Sequence, residues 1–490
     1  MSDNNQNSVI DIHTHIFNLD YLPIEGVLRA NGVGKILAKI LTKIISAVTG
    51  NTDFNQKEVR LNYEDGNYTP KFMNMKNSEL IEDMVYRMPI QVIEDKDIQE
   101  ALDEFLELNN QNLEKSERFS EKIKLMKPYS EKYKFYSREV MFDFLNATLN
   151  KSESNKKAKR SIDFDYIKWF LFMTGNEQKI IDILLREYSH IKHFVFHMMD
   201  ADKLFSKGKI SKMKFSKQIE NMEAVIKKYK GRFIGFIPFN PNRDKSLQYI
   251  DEAFKRGYFK GVKFYPPLGY RPSGDKNAKY SKRIDKLFEK YGDGSVPFFT
   301  HCTPSGFESI PNWSGRNANP IYWEERLKKN PDLKVCLGHA GGDAGWFDDF
   351  KKNNLFPLYN QKFIKNGKKI TECIKPYGEK VFELCTKYKN VYCEVGFLAH
   401  KNDSNKLNNF KERMEYLLSI DSEKKYAFGS KIMYGSDWHI LYNEGLEDNY
   451  DKAYEEVFSD SRYKHLERVK SAFFSENAKR FLGLVQEEIV

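Results

Sequence analysis

Two histidines spaced two residues apart close an apolar run, Val9-Ile10-Asp11-Ile12-His13-Thr14-His15. On an extended strand, residues i and i+2 share a face, so the imidazoles of His13 and His15 can reach one ion. Three later apolar runs also end in an ionisable residue: VPFFTH at His301, KVCLGH at His339 and IMYGSD at Asp437. Lys263 lies inside a further run, Val262-Lys263-Phe264-Tyr265-Pro266. A single buried histidine is usually a satisfied core residue, but four histidines and an aspartate at such positions are costly to bury without a common partner. Three histidines and a carboxylate suit a divalent ion of the zinc or manganese kind, with one position open to water. Such an ion lowers the pKa of its water to about 7 and polarises a carbonyl. Asp437 can bind the ion, take the water's proton and return it to a leaving group.

The elements that must position these residues follow from the rhythm of the chain. From Asn176 onward, short β-rich runs alternate with helical stretches. The runs are His193–Met199, Arg232–Phe239, Gly261–Pro266, Val296–His301, Lys334–His339, Val391–Phe397 and Lys431–Asp437, and Val9–His13 makes the eighth. Helices are expected over Ser211–Tyr229, Asp244–Arg256, Ala278–Tyr291, Tyr322–Lys329 and Thr371–Tyr388. Strands alternating with helices imply a parallel sheet with crossovers, and eight strands close a TIM-like (β/α)8 barrel of about 250 residues, whose active site lies at the C-terminal ends of the strands.

The barrel does not account for all 490 residues. Residues 1–18 hold the first strand and residues 176–490 the remainder of the barrel. Residues 19–175 read as a large helical insertion after strand 1, a cap expected to emerge on the catalytic face and roof the pocket. Its clearest helix, Val33–Val48, is apolar on one side and carries Lys35, Lys39 and Lys43 on the other. That pattern fits a helix on a membrane surface; packing over the body of the protein is the preferred reading. Further helices are expected over Ile93–Leu108, Arg138–Leu149 and Asp163–Met173, and a solvated loop over Lys151–Arg160.

Composition narrows the classes. With 40% hydrophobic and 14% aromatic residues the chain is globular. The net charge of +10 is spread along the chain rather than clustered on one element, which argues against nucleic-acid binding. The segment Met1–Ser8 lacks a signal pattern, and no run approaches the roughly eighteen apolar residues that span a membrane. The cysteines Cys302, Cys336, Cys373, Cys385 and Cys393 form no Cys-x-x-Cys pair, which points to a reducing compartment, the cytoplasm.

The ordered set of a His-x-His on strand 1, lysine on strand 4, histidines on strands 5 and 6 and aspartate on strand 8 resembles the amidohydrolase superfamily of metal-dependent barrels. The closing segment Asn477-Ala478-Lys479-Arg480-Phe481-Leu482-Gly483-Leu484 is similar to the C-terminal helix of its amidohydrolase-2 branch, which holds hydrolases and also decarboxylases of the aminocarboxymuconate-semialdehyde type. The resemblance covers the barrel and not the insertion. It implies that His13, His15, His301 and Asp437 are metal ligands, and that His339 either binds a second ion or orients the attacking water. Lys263 resembles the strand-4 lysine that dihydroorotase-like members carboxylate to bridge two metals; a structural or substrate-binding lysine is the alternative. One or two ions, zinc first and manganese second, are therefore expected. Arg271, in the loop Pro266–Pro272, can clamp a substrate carboxylate through its planar fork, and Tyr265 is placed beside it as a substrate contact. A surface arginine is the plain alternative. His197, Glu394, Trp438 and His439 are pocket, packing or supporting residues.

The leading functional expectation is a metal-dependent hydrolase acting on an amide, cyclic amide, lactone or ester of a small molecule. The alternative on the same scaffold is a decarboxylase of an unsaturated or aromatic acid, and a different class is a non-catalytic barrel docked on a membrane. Homo-oligomerisation is left open.

Overall fold

The computed structural model of the protein describes residues 9–30, 38–43, 76–87, 96, 98–100, 141–142, 145, 168–170, 172–173, 177–201, 211, 213–365, 368–398, 403–441 and 450–484. The chain divides into two units. One comprises Met1–Tyr21, Leu184–Ser206 and Ile210–Val490, and the other comprises Leu22–Ile183 with Lys207–Lys209.

In the first unit, apolar and aromatic runs form eight parallel strands: β1 (Ile10–Thr14), β2 (His193–His197), β3 (Phe233–Phe239), β4 (Phe259–Phe264), β5 (Phe298–Thr300), β6 (Val335–Leu337), β9 (Val391–Glu394) and β10 (Ile432–Met433). They pair in the order β1-β2-β3-β4-β5-β6-β9-β10. The outer strands meet along a seam: Ile12 N donates to Tyr434 O at 3.2 Å, Asp437 N to His13 O at 2.7 Å, and His15 N to Trp438 O, with a parallel bridge between Thr14 and Trp438. The sheet thereby closes into the TIM-like barrel expected from the sequence.

Strand alternation explains how the barrel separates an apolar floor from a polar mouth. Val195, Phe236, Phe299, Cys336, Tyr392 and Met433 belong to one buried cluster with Ile10 and Ile12. Two residues further along the same faces stand His197, Lys263 (after Gly261 on β4), His301 and Glu394. In β1 the ladder shifts register between Asp11 and Thr14. Such an irregularity re-aims side chains, so Ile10 and Ile12 pack in the floor while His13 and His15 reach the mouth.

The surrounding helices follow ordinary rules. The helix Ala278–Tyr291 begins at Asn277, whose side chain accepts from Lys279 N and Tyr280 N, and it buries Ile284, Leu287 and Phe288 against the outside of β4 and β5. The helix Asn477–Leu482 plugs the floor with Ala478, Phe481 and Leu482. Its Asn477 donates to Gly429 O at 2.9 Å and Ile432 O at 2.7 Å, tying it to β10.

One expected helix start is corrected. Thr371 is in a strand, and the helix runs Tyr377–Lys387. An antiparallel hairpin of β7 (Tyr359–Lys365) and β8 (Lys368–Ile374) precedes it. Its register places Phe363 opposite Ile370 on the face that packs against Trp313, while Lys362 and Thr371 share the exposed face. That alternation has period 2, which the sequence reading took for the beginning of a helix.

In the second unit the expected helices fall largely outside the described residues, as does Lys151–Arg160. Within Val33–Val48, residues 38–43 are helical, with Ile40 and Leu41 buried and Lys39 exposed. The stripe is thus covered at these positions. Among the described residues, no helix is long and apolar enough to cross a membrane.

Asp11, fully buried, clasps the barrel seam. Its Oδ1 accepts from His13 N and Ser436 N, each at 3.0 Å, and its Oδ2 accepts from Ser436 Oγ at 2.6 Å. Asp11→Ala takes the acceptor from two buried backbone donors, His13 N and Ser436 N, and leaves Ser436 Oγ only the longer bond to His13 O at 3.3 Å. We expect a loss of about 3 kcal/mol or more in denaturant unfolding, with Asp11→Asn losing less.

Candidate metal centre

Each histidine of the expected ligand set has one ring nitrogen committed to an acceptor outside the cluster. His15 Nδ1 faces His197 O at 2.9 Å, His339 Nδ1 faces Gly396 O at 2.8 Å, and His301 Nε2 faces Ser305 O at 2.6 Å. A carbonyl can only accept, so these nitrogens carry the ring protons. His13 Nδ1 stands 3.1 Å from Glu394 Oε1, and facing the carboxylate in its ionised form it takes the same tautomer.

The other nitrogens are left with lone pairs, and these meet in two groups. His13 Nε2 lies 3.2 Å and His15 Nε2 3.1 Å from Asp437 Oδ1. His339 Nε2 lies 3.0 Å from His301 Nδ1. Lone pairs facing lone pairs, or a carboxylate oxygen, repel unless positive charge lies between them. Protonation of the rings does not supply that charge, because burial holds His13 and His301 well below the ordinary imidazole range and lowers His339 as well. Among the described residues, the Lys263 ammonium stands against His13 Nε2 alone of these nitrogens, at 3.4 Å. The donor set therefore fits a divalent cation. Ligand atoms of His13, His15 and Asp437 lie within 4.8 Å of one another, as do those of His13, His339 and Glu394.

Lys263 reaches the same place from β4. Its Nζ is 3.4 Å from His13 Nε2 and 4.2 Å from the centre of the Phe299 ring. Burial lowers its ammonium to about 8, against the pull of Asp437 and Glu394. Burial likewise pushes the Glu394 carboxyl up to about 8, opposed by the N–H groups of His339 and Gly396.

Two of the converging residues have left-handed backbone. His339 has φ 56° and its neighbour Ala340 φ 44°, while Asp437 has φ 63°. Such values cost a non-glycine residue about 1–2 kcal/mol, so the surroundings must hold them. Glu394 Oε1 accepts from His339 N at 2.6 Å, and Trp346 Nε1 donates to Ala340 O at 2.9 Å. Trp346 O in turn accepts from buried Arg413, which also donates to the carbonyls of Leu355 and Asp348. Ser436, held by Asp11, accepts from Trp438 N at 3.0 Å and so fixes both sides of Asp437.

Tyr265 lines this cluster: its ring centre is 4.7 Å from that of His301, and its hydroxyl accepts from Phe307 N at 3.0 Å. Arg271 is engaged in the loop wall instead, donating to Asn317 Oδ1 at 2.8 Å with its guanidinium 4.3 Å from the centre of the Tyr322 ring. His197 donates from Nε2 to Ile12 O at 2.9 Å and packs 4.0 Å from the Phe299 ring, a tie between β1 and β2. His439 donates to Phe17 O at 3.3 Å, and Trp438 donates to Glu187 Oε2 at 2.7 Å. The sequence reading passed over Asp11 and Ser436. Their signal was a carboxylate inside an apolar strand, two residues before the first ligand-type histidine.

The family model for amidohydrolases matches residues 10–350, well over half of the chain. The chain belongs to the amidohydrolase family. This is a family of metal-dependent enzymes, and the protein is an enzyme. The matched span of this amidohydrolase contains His13, His15, Lys263, His301 and His339 but ends before Glu394 and Asp437.

Solved structures with a similar fold include a probable 2-pyrone-4,6-dicarboxylic acid hydrolase from Acinetobacter baumannii. It is 14% identical, with 63% of this chain and 88% of that one covered and a TM-score of 0.39. Another is the 5-carboxyvanillate decarboxylase of Novosphingobium aromaticivorans in complex with manganese, 13% identical over 70% and 93% of the two chains, TM-score 0.40. A third is an amidohydrolase from Burkholderia multivorans with bound zinc, 11% identical over 62% and 87%, TM-score 0.39. Comparison with curated proteins finds no match.

The left-handed turn yields a test with a definite sign. Ala340→Gly removes the Cβ penalty at φ 44°, and we expect unfolding stability to rise by about 0.5–1 kcal/mol in denaturant titration.

Proposed function

We propose that this amidohydrolase is a metal-dependent hydrolase acting on an amide, cyclic amide, lactone or ester bond of a small molecule. The observation that carries the reading is the meeting of His13 Nε2 and His15 Nε2 at Asp437 Oδ1, beside the facing pair His301 Nδ1 and His339 Nε2, each ring having its proton turned outward. His13, His15, His301 and Asp437 would hold the ion, with zinc the first candidate and manganese the second. When bound, such an ion brings water towards hydroxide at neutral pH and polarises the scissile carbonyl.

The chain's own residues supply the rest. Asp437 accepts the proton of the attacking water and returns it to the leaving group. His339, with its ring proton fixed on Gly396 O, presents Nε2 as an acceptor that orients that water. Tyr265 walls the His301 side of the pocket. Lys263 has a second role to offer. With its ammonium lowered to about 8, a share of neutral amine is present near neutral pH, and neutral amine is the form that adds CO2. A carboxylated Lys263 would bridge to a second ion.

One observation favours the alternative reading, a decarboxylase of an unsaturated or aromatic acid. A buried lysine 3.4 Å from His13 Nε2 is well placed to grip a substrate carboxylate. Metal content per chain and the mass of a Lys263-containing peptide separate the two. Two ions and a carbamate favour hydrolysis, while one ion with CO2 release from aromatic acids favours decarboxylation.

His301→Ala should bind metal at least about tenfold more weakly and lose turnover while keeping its circular dichroism spectrum; full metal content with undiminished turnover would contradict the ligand assignment. Removing metal with a chelator should abolish hydrolysis across a panel of small amides, lactones and esters, and adding zinc or manganese should restore it. Turnover that persists in metal-free protein would end the proposal.

A further inference from the structure

Glu394 lies on β9, outside the run of residues matched by the family model, and its oxygens are already in use. Oε1 faces His13 Nδ1 at 3.1 Å and accepts from His339 N at 2.6 Å, while Oε2 accepts from Gly396 N. The side chain is completely buried. The backbone is shaped around it as well. A Cβ on Gly396 would stand 2.6 Å from Glu394 Oε2 and 3.2 Å from His13 Nδ1, and a Cβ on Gly435 would stand 2.5 Å from Oε2 and 3.0 Å from His13 Cβ. Real Cβ atoms do not approach an oxygen so closely, so glycines on two neighbouring segments leave the space that the carboxylate fills.

We propose that Glu394 is the positioning residue of the metal centre, holding His13 by its outer nitrogen and His339 by its backbone, and is not itself a ligand. The inference rests on the proposed function, in that it takes His13 as a ligand. An imidazole offers a metal one nitrogen and a supporting acceptor the other, and a carboxylate behind the ring fixes the tautomer and raises ligand basicity. Here His13 Nδ1 faces Glu394, so Nε2 is the nitrogen turned towards Asp437. The same carboxylate, through His339 N, secures the left-handed turn that brings His339 Nε2 to His301. One group thus couples the β1 side of the centre to the β6 side. The grouping of His13, His339 and Glu394 within ligand distance is then a support and not a second metal site, because the Glu394 oxygens already accept from His339 N and Gly396 N and face His13 Nδ1, the nitrogen turned away from Asp437.

The test uses the full-length protein, stripped with a chelator and titrated with zinc or manganese by calorimetry, with thermal unfolding followed in parallel. Glu394→Ala is expected to weaken metal binding by about 100-fold and Glu394→Gln by about 10-fold, since the amide oxygen still accepts from His13. Gly435→Ala, which keeps the carboxylate but displaces it, should weaken binding in the same direction. Cobalt at saturating concentration reports coordination number by its visible spectrum, and the wild type and Glu394→Gln should give the same one. Unchanged affinity in Glu394→Gln and Glu394→Ala, with the wild type binding stoichiometrically, overturns the positioning role. A lower coordination number in the cobalt form of Glu394→Gln also overturns it, by making Glu394 a ligand. A wild-type protein that binds no ion would instead refute the proposed function. Should Glu394→Ala unfold, the near-isosteric Glu394→Gln and Gly435→Ala carry the comparison.

Discussion

A neutral imidazole has one N–H and one lone pair, and at the mouth of this barrel every ring of the expected ligand set turns its N–H outward. His15, His301 and His339 give theirs to backbone carbonyls and His13 faces the Glu394 carboxylate. What remains inside is two groups of facing electron pairs, His13 and His15 with the Asp437 carboxylate and His301 with His339. Burial depresses proton affinity where it would relieve the repulsion. This is an arrangement that a folded chain maintains at a cost, and the rest of the unit is built to sustain it.

The support comes from outside the cluster. Asp11 and Glu394 are buried carboxylates that face N–H and O–H donors and organise backbone. Asp11 fixes the turn before Asp437 across the seam where β1 meets the segment following β10. Glu394 fixes the turn at His339 and the ring of His13. Both turns carry positive φ at the residue of the expected set itself, His339 and Asp437, so local strain and the geometry of the cluster are the same feature. Arg413 extends this support outward by holding carbonyls of the segment that carries Trp346, whose indole holds Ala340.

The scaffold sets the site by a two-residue step. Val195 precedes His197, Phe299 precedes His301 and Tyr392 precedes Glu394 by two positions, so that apolar floor and polar mouth are successive layers of the same faces. The helix Asn477–Leu482 seals the floor with Phe481. Water is thereby excluded from below, and the mouth is the side on which a substrate would meet the centre.

The fold and the ligand-type residues were legible in the sequence because they obey local rules. Apolar runs of strand length recur between amphipathic helices, and His13, His15, His301, His339 and Asp437 each end such a run. Lys263 and Tyr265 stand inside a run of the same kind, and the structure sets Lys263 Nζ 3.4 Å from His13 Nε2 and the Tyr265 ring 4.7 Å from that of His301. Three things were not. The β7–β8 hairpin was hidden because its alternating residues, partly exposed, resembled the approach to a helix. Arg271 was read as a carboxylate clamp or a surface arginine, and its Nε bond to Asn317 and its stacking on Tyr322 involve partners some fifty residues away in the chain. The partners of Asp11 and Glu394 could not be read from the sequence, because a carboxylate's role depends on which donors reach it. For Asp11 and Ser436 those partners are 425 residues apart in sequence, and for Glu394 and His13 they are 381. Sequence spacing determines which side chains share a strand face; the tertiary structure decides which nitrogen of His13, His15 and His339 looks inward, because the acceptors of their ring protons come from segments distant in the chain.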